Sequence, residues 1–312
     1  MTQHYSRILA DETTTLSIAE QTVQKPGTLP SKSRYKSGNP FTMPQRRDAN
    51  HLLKLFKARR DAIRRDRLDP ETHVFDDGLE SYVCSDADRP GKTLQRFRDF
   101  ALPHVAIYQG QVMQDLWALY ELDGKREGFF VDFGATNGTT MSNSLILERN
   151  FDWTGIVAEP NPVFHENLAR SRGCHISHKC VHSVSGETMD FIMAARPMFS
   201  RLEAASDGLE FAEGGIDDRI AVATITLNDL LDEYDAPEVI DFISIDTEGS
   251  ELDIMSQFDF SRRHVRLFAI EHNHEERRDD ILALMTANGY VRRLPELSKF
   301  DDWYIHESDI RD

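Results

Sequence analysis

From residue 128 onward, short apolar runs alternate with stretches of mixed polarity. The runs at 129–133, 155–158, 176–182, 241–245, 266–270, 289–293 and 302–306 have the length of strands, and the stretches at 140–149, 162–171, 227–234, 250–257 and 275–287 are predicted as helices. Such alternation implies an α/β fold built on a mostly parallel sheet with helices on both faces. Ligands of such sheets bind beyond the carboxyl ends of the strands, where strand order reverses. Asn161-Pro162 suits the start of one helix, as a cap followed by a first-turn proline. Gly289 suits a left-handed end to another.

The upstream part reads differently. Residues 1–45 place Pro26, Gly27, Pro30, Gly38, Pro40 and Pro44 among polar residues, which predicts an irregular arm. A basic amphipathic helix follows at 46–68, with Leu52, Leu55, Phe56 and Ile63 near helical spacing. An acidic, turn-rich stretch covers 69–95. A second helix is predicted at 106–122 on the stripe Ile107, Val112, Leu116, Leu119 and Tyr120. The expected organisation is therefore an arm at 1–45, a helical extension at 46–125 and an α/β domain at 126–312. Between 186 and 240 the pattern loosens, with Gly208, Gly214 and Gly215 among acids. This insertion between two strands reads equally as a lid or as a surface excursion.

Charge narrows the partners. A net charge of −17 repels nucleic acid and anionic membranes, so neither is expected. The exception is local: Arg46, Arg47, Lys54, Lys57, Arg59, Arg60, Arg64, Arg65 and Arg67 crowd the first helix. They read as a solvated face, or as a hint of an anionic acceptor or partner. No apolar run has the length of a membrane span, and the polar start Met1-Thr-Gln-His-Tyr-Ser-Arg has no secretory core. Cys84, Cys174 and Cys180 are too few for a disulfide framework, so a cytoplasmic location is expected.

Chemistry gathers at the predicted strand ends. Phe129-Phe-Val-Asp-Phe-Gly-Ala-Thr-Asn-Gly138 is a strand running into a glycine turn, and Thr154-Gly-Ile-Val-Ala158 runs into Glu159. The turn lacks the Gly-x-Gly-x-x-Gly spacing of a dinucleotide site. Asp132 before it suits a ligand with a cationic amino group, and Glu159 suits a ribose diol. In Asp241-Phe-Ile-Ser-Ile-Asp-Thr-Glu-Gly-Ser-Glu251, Asp246 and Glu248 arrive at a strand end, while Glu251 reads as a first-turn acid facing the helix dipole. Glu271, His272 and Asn273 close the next strand and are expected to share a rim with Asp246. Asp301-Asp-Trp-Tyr304 reads as a pocket wall or an edge strand. Cys174, His178, Cys180 and His182 resemble a zinc set, but on one strand they would extend over about 26 Å and could not reach one ion.

Taken together, Gln114-Asp115, Val131-Asp-Phe-Gly-Ala-Thr-Asn-Gly138, Ser142-Asn143, Leu147-Glu-Arg149, Trp153-Thr-Gly-Ile156, Glu159-Pro-Asn-Pro162, Asp241–Glu251, Glu271-His-Asn273 and Asp302-Trp-Tyr304 resemble the FkbM family of S-adenosylmethionine-dependent methyltransferases. The resemblance runs from about Gln109 to His306. It implies a class I (Rossmann-like) methyltransferase fold, a mostly parallel seven-stranded sheet with its last strand inserted antiparallel. By that resemblance Asp132, Gly134, Ala135, Asn137, Gly138, Glu159 and Asp246 would hold S-adenosylmethionine. The acceptor would be a hydroxyl of a carbohydrate, glycan or related small molecule.

A hydroxyl needs a base or a metal to assist loss of its proton. The expected base is His272, oriented by Asp246 or Glu271; the alternative is a divalent ion such as magnesium on Asp246 and Glu271. Two other readings remain at this level: a nicotinamide-dependent oxidoreductase, and a non-catalytic glycan- or partner-binding module. The pattern carries no signal for oligomeric state.

Overall fold

The computed structural model describes residues 43–70, 93–205, 215–272 and 277–311, together with His73, Leu79 and Cys84. Most of the predicted arm, most of the acidic stretch, Asn273 and residues 206–214 of the insertion lie outside the described residues. Three helices come first: α1 (Met43–Asp66), α2 (Thr93–Ala101) and α3 (Gln114–Glu121). The α/β part then runs β1 (Phe129–Phe133), α4 (Leu145–Phe151), β2 (Thr154–Ala158), α5 (Pro162–Ser171), β3 (His175–Ser177) and β4 (Cys180–Val181). The insertion follows as β5 (Thr188–Ala194), β6 (Arg201–Leu202) and β7 (Ile216–Ile225). After α6 (Leu227–Glu233) come β8 (Val239–Ile245), α7 (Glu251–Met255), β9 (His264–Glu271), α8 (Arg277–Ala287), β10 (Tyr290–Arg293) and β11 (Asp301–His306). Among the described residues no helix is long and apolar enough to cross a membrane.

Seven strands form the main sheet in the order β10-β11-β9-β8-β1-β2-β3, all parallel except β11, which lies antiparallel between β9 and β10. The order reverses between β1 and β8, which sets the ligand crevice at their carboxyl ends. Both faces are covered, so β1 and β8 are buried along nearly their whole length, polar Asp132, Asp241 and Ser244 included.

Side chains alternate between the two faces. On one face Phe130, Val157, Phe242, Leu267 and Trp303 join the cores of α1, α2 and α3; on the other, Val131, Ile156, Ile243, Phe268 and Tyr304 join α6, α7 and α8. Trp117 of α3 stacks on Trp303 with ring centroids 5.2 Å apart, and Leu52, Leu53 and Phe56 of α1 are buried in the same cluster. The N-terminal helices are thus a wall of the sheet's own core.

The structure departs from the sequence pattern in four places. The predicted strand 176–182 divides: β3 joins the main sheet, while β4 joins β7, β5 and β6 in a second sheet. The Cys174–His182 run therefore spans two sheets. The predicted helix 106–122 shortens to α3, because Asp115 gathers the N–H groups of Gln109 and Gly110 into a turn and Met113 adopts a left-handed φ of 73°. The helix 140–149 begins only at Leu145, after a turn in which Ser142 accepts from the Leu145 N–H. Asp301-Asp-Trp-Tyr304 forms neither an edge nor a pocket wall, since β11 lies inside the sheet and both aromatics are fully buried.

Candidate active site

The turn after β1 closes on its neighbours through the backbone. Gly134 has φ +81°, and a Cβ there would stand 1.7 Å from the Asp246 carbonyl oxygen, so only glycine lets β1 and β8 approach this closely. Gly134 and Ala135 donate to the Ala158 carbonyl at 3.1 and 3.4 Å, and Asp246 donates to that of Phe133 at 3.2 Å. Glu159 staples this turn to β2. Its Oε2 accepts from the Thr136 N–H at 2.9 Å and its Oε1 from that of Asn161 at 2.8 Å. Burial, with the charge of Asp246 adding a smaller push, moves the Glu159 carboxyl up to about 7 against these two hydrogen bonds.

Asp132 is directed beneath the turn. Its Oδ2 accepts from Ser144 Oγ at 2.5 Å, and Arg172 donates to the same Oγ at 3.0 Å. Burial raises the Asp132 pKa, while the Ser144 bond and the Arg172 charge lower it. The Arg172 side chain is fully buried, pairs with Glu148 at 2.7 Å and reaches the Gly138 carbonyl at 3.4 Å. Asp132 thus anchors the loop through Ser144. Asn137 also builds the loop: its Oδ1 accepts from the N–H groups of Thr139 and Thr140. The pattern of the chain does not distinguish Arg172 from the exposed Arg170 two residues earlier.

Beyond β8, Glu251 accepts from the N–H groups of Thr247 and Gly249, so it pins the loop before α7 and does more than face a helix end. Within that loop Glu248 takes a left-handed φ of 58°. Asp246, Glu248 and Glu271 bring carboxylate oxygens within 4.8 Å of one another. Glu271 is nine-tenths buried and its Oε2 has no hydrogen-bond partner. Burial, then the charges of Asp246, Glu248 and Glu251, hold its pKa well above the ordinary range. Burial likewise raises Asp246. Asp301 opposes Glu271 in the ladder and accepts from Gln114 Nε2 at 2.5 Å; burial, then Asp246, moves it up to about 8.

Alternation sorts these groups. Asp132, Glu159, Asp246, Glu271 and Asp301 all fall on the sheet face covered by the N-terminal helices. His272 falls on the other. Its side chain is 1% exposed, with Nε2 3.7 Å from Asp302. Asp302 in turn takes Arg278 at 2.8 and 3.0 Å. The expected orientation of His272 by Asp246 or Glu271 is therefore not what the fold builds, because consecutive strand residues point to opposite faces. Gln114 and Arg172 join the site without having been given a role from sequence, and Asp301 joins it from inside the sheet.

This strand order, with its reversed seventh strand and its acids at the carboxyl ends, defines a class I methyltransferase. The FkbM methyltransferase domain matches residues 132–292, and the chain belongs to that family. No curated protein matches the chain. Among solved structures, it is similar to a precorrin-6y C5,15-methyltransferase from Geobacter metallireducens (15% identity, 57% of this chain and 71% of that one, TM-score 0.30). It is also similar to a protein from Pyrococcus horikoshii described as an RNA methyltransferase (11% identity, 69% of this chain and 99% of that one, TM-score 0.32). The strand order stands independently of these two likenesses.

Proposed function

We propose that this chain is an S-adenosylmethionine-dependent O-methyltransferase acting on a hydroxyl of a carbohydrate-like or related small acceptor. The observation that carries this reading is the set of acids at the carboxyl ends of β2, β8 and β9, raised in pKa and facing one crevice. Glu271 Oε2 is orphaned there, so the donor set favours a cationic ligand over a pyrophosphate. That chemistry fits a sulfonium and an ammonium group, and weighs against a nicotinamide dinucleotide. Bound S-adenosylmethionine supplies an activated methyl carbon.

The chain's own residues would do the rest. The backbone of Gly134 and Ala135 lines the crevice beside Glu159, whose remaining lone pairs suit ribose hydroxyls. Asp246 would face the amino group. Asp132, Asn137 and Gly138 hold the turn in shape with Arg172. Alignment of the acceptor oxygen is the main task of such a site. A carboxylate of raised pKa is the better base, so Glu271, coupled to Asp246, takes the hydroxyl proton. His272 acts as a positioning residue through Asp302 and Arg278 at the foot of the rim.

A second reading shares the rim: the spacing of Asp246, Glu248 and Glu271 would also hold a divalent ion through oxygens. The Asn161 Nδ2 bond to Ser200 Oγ of the insertion at 3.1 Å, next to Glu159, supports reading the insertion as a lid over the bound donor.

Calorimetry with S-adenosylmethionine and S-adenosylhomocysteine tests the proposal on wild type, Glu159→Gln and Asp246→Asn. Micromolar binding weakened at least tenfold in both folded variants is expected. Wild type that binds neither compound sinks the reading. Binding and turnover unchanged by exhaustive chelation would remove the divalent ion, and magnesium binding lost in Glu248→Gln would support it.

A further inference from the structure

The amino end of the main sheet carries a second set of ligand atoms, at the opposite end of β9 from Glu271. His264 opens β9 and His306 closes β11. Leu267 opposes Ile305 across this antiparallel pair, so register brings His306 beside the start of β9. The two imidazole rings meet edge to face with centroids 4.8 Å apart. The single turn Glu307–Asp309 then carries Asp309 back over them, and its Oδ2 lies 2.6 Å from His264 Nε2. One ligand atom from each of His264, His306 and Asp309 lies within 4.8 Å of the other two. All three residues are partly exposed, so an ion reaches them from solvent.

The neighbours orient these atoms as a metal site requires. His306 Nδ1 lies 2.7 Å from Ser308 Oγ, to which it can donate, and that tautomer leaves the Nε2 lone pair for an ion. The longer contact of Nδ1 with the Ser308 N–H, at 3.3 Å, is the one given up. Gly289 keeps Nε2 open: a Cβ there would stand 3.2 Å from that atom, and the φ of +82° is one that side chains rarely adopt. Arg266 donates to Asp309 Oδ1 at 3.0 Å, which fixes the carboxylate with Oδ2 toward His264. The Arg266 charge opposes an ion, but it is shared with Asp241 at 3.3 Å. The net charge of −17 favours cations at the surface as a whole.

Donor chemistry selects the ion. Two imidazoles and one carboxylate suit zinc and its neighbours in the first transition row, whereas magnesium and calcium prefer oxygen alone. With bonds of about 2.0–2.1 Å, tetrahedral ligand atoms stand about 3.3 Å apart. The His264–Asp309 contact at 2.6 Å therefore opens by roughly 0.7 Å to admit the ion, whose two bonds replace that hydrogen bond.

We propose that His264, His306 and Asp309 form a zinc-type transition-metal site, completed by water, that clasps the turn after β11 to the start of β9. The proposal goes beyond the methyl-transfer reading and does not depend on it. It also differs from the oxygen set Asp246, Glu248 and Glu271 in the ion it selects.

The test uses the full chain without an affinity tag, stripped of metal and titrated with zinc by calorimetry in excess magnesium. The proteins are wild type, His306→Gln, Asp309→Asn and, as the control for the methyl-transfer rim, Glu248→Gln. His306→Gln leaves the His264–Asp309 pair in place, and circular dichroism checks the fold of each variant.

Wild type is expected to bind zinc saturably and to melt at a higher temperature with it. His306→Gln and Asp309→Asn should each lose at least tenfold in zinc affinity, and Glu248→Gln less than threefold. Cobalt should give the intense visible bands of a four-coordinate site in wild type and lose them in His306→Gln. Anomalous diffraction from a zinc cocrystal of wild type needs no substitution and should place an ion between the two imidazoles and Asp309. Equal zinc affinity in wild type and His306→Gln, no saturable zinc binding by wild type, or an anomalous peak only elsewhere overturns the proposal.

Discussion

Two groups of buried acids, one at each end of the main sheet, are compensated in opposite ways. At the amino end, Asp241 meets Lys125 at 2.6 and 2.7 Å and Arg266 at 3.3 Å, and accepts from the Phe129 N–H at 2.9 Å. Asp309, just past β11, meets Arg266 at 3.0 Å and His264 at 2.6 Å. At the carboxyl end, Glu159, Asp246, Glu271 and Asp301 form no ion pair with Lys or Arg among the described residues. Glu159 and Asp301 accept from backbone N–H groups or an amide, burial raises all four, and the charge of Asp246 raises the other three further. Residue type and burial are similar at both ends; compensation is not. An acid paired with a cation holds the fold together, whereas the acids left short of positive charge are those to which the proposed function assigns a cationic ligand.

The largest effect that would break this comparison lies at the amino end. Asp241→Ala leaves Lys125 and Arg266 without their buried partner and should cost about 3–5 kcal/mol. Thermal melting checks this, and a loss under 1 kcal/mol would remove the contrast. Next, Asp246→Asn should leave the melting temperature unchanged or raise it, while S-adenosylmethionine affinity falls at least tenfold, about 1.4 kcal/mol. A variant that melts much earlier would make Asp246 structural, like Asp241.

A smaller effect is in pH. Glu159 sits near about 7 and Asp301 near about 8 in the folded chain, above their values of about 4.3 and 3.9 when unfolded. As pH rises, the unfolded chain sheds these protons first. Stability of the ligand-free protein should therefore fall between about pH 4 and pH 8, by at least about 1 kcal/mol, and level off above. Stabilisation by S-adenosylmethionine should grow across the same window. Melting curves at several pH values, with Glu159→Gln flattening the slope, decide it.

The smallest effect is Asp301→Asn, which keeps an acceptor for Gln114 and removes a like charge. It should stabilise the protein by under about 1 kcal/mol at pH 8 and have no effect at pH 4.

Much of this was legible before the fold was seen. The run 129–133 became β1, and 162–171 became α5, where Asn161 accepts from the Val163 N–H as a cap. Glu159, Asp246 and Glu271 could be placed at strand ends because an apolar run ending in an acid is a local signal. His272 was misplaced because its neighbours in sequence are not its neighbours in space: alternation sends it to Asp302. The helix at 93–101 and the second sheet were invisible for a related reason. β5 finds its partner β7 across the insertion, and no local period reports that pairing.

The sequence by itself determined most of the main sheet's strands and their intervening helices, the glycine turn at 134 and the acids at the strand ends, since apolar period and backbone preference act over a few residues. Only the tertiary structure decided that Arg172 reaches back beneath the turn. It also decided that Gln114 ties an N-terminal helix to Asp301. Those arrangements depend on register and on packing between distant segments, whose free energy exists only once the sheet has formed.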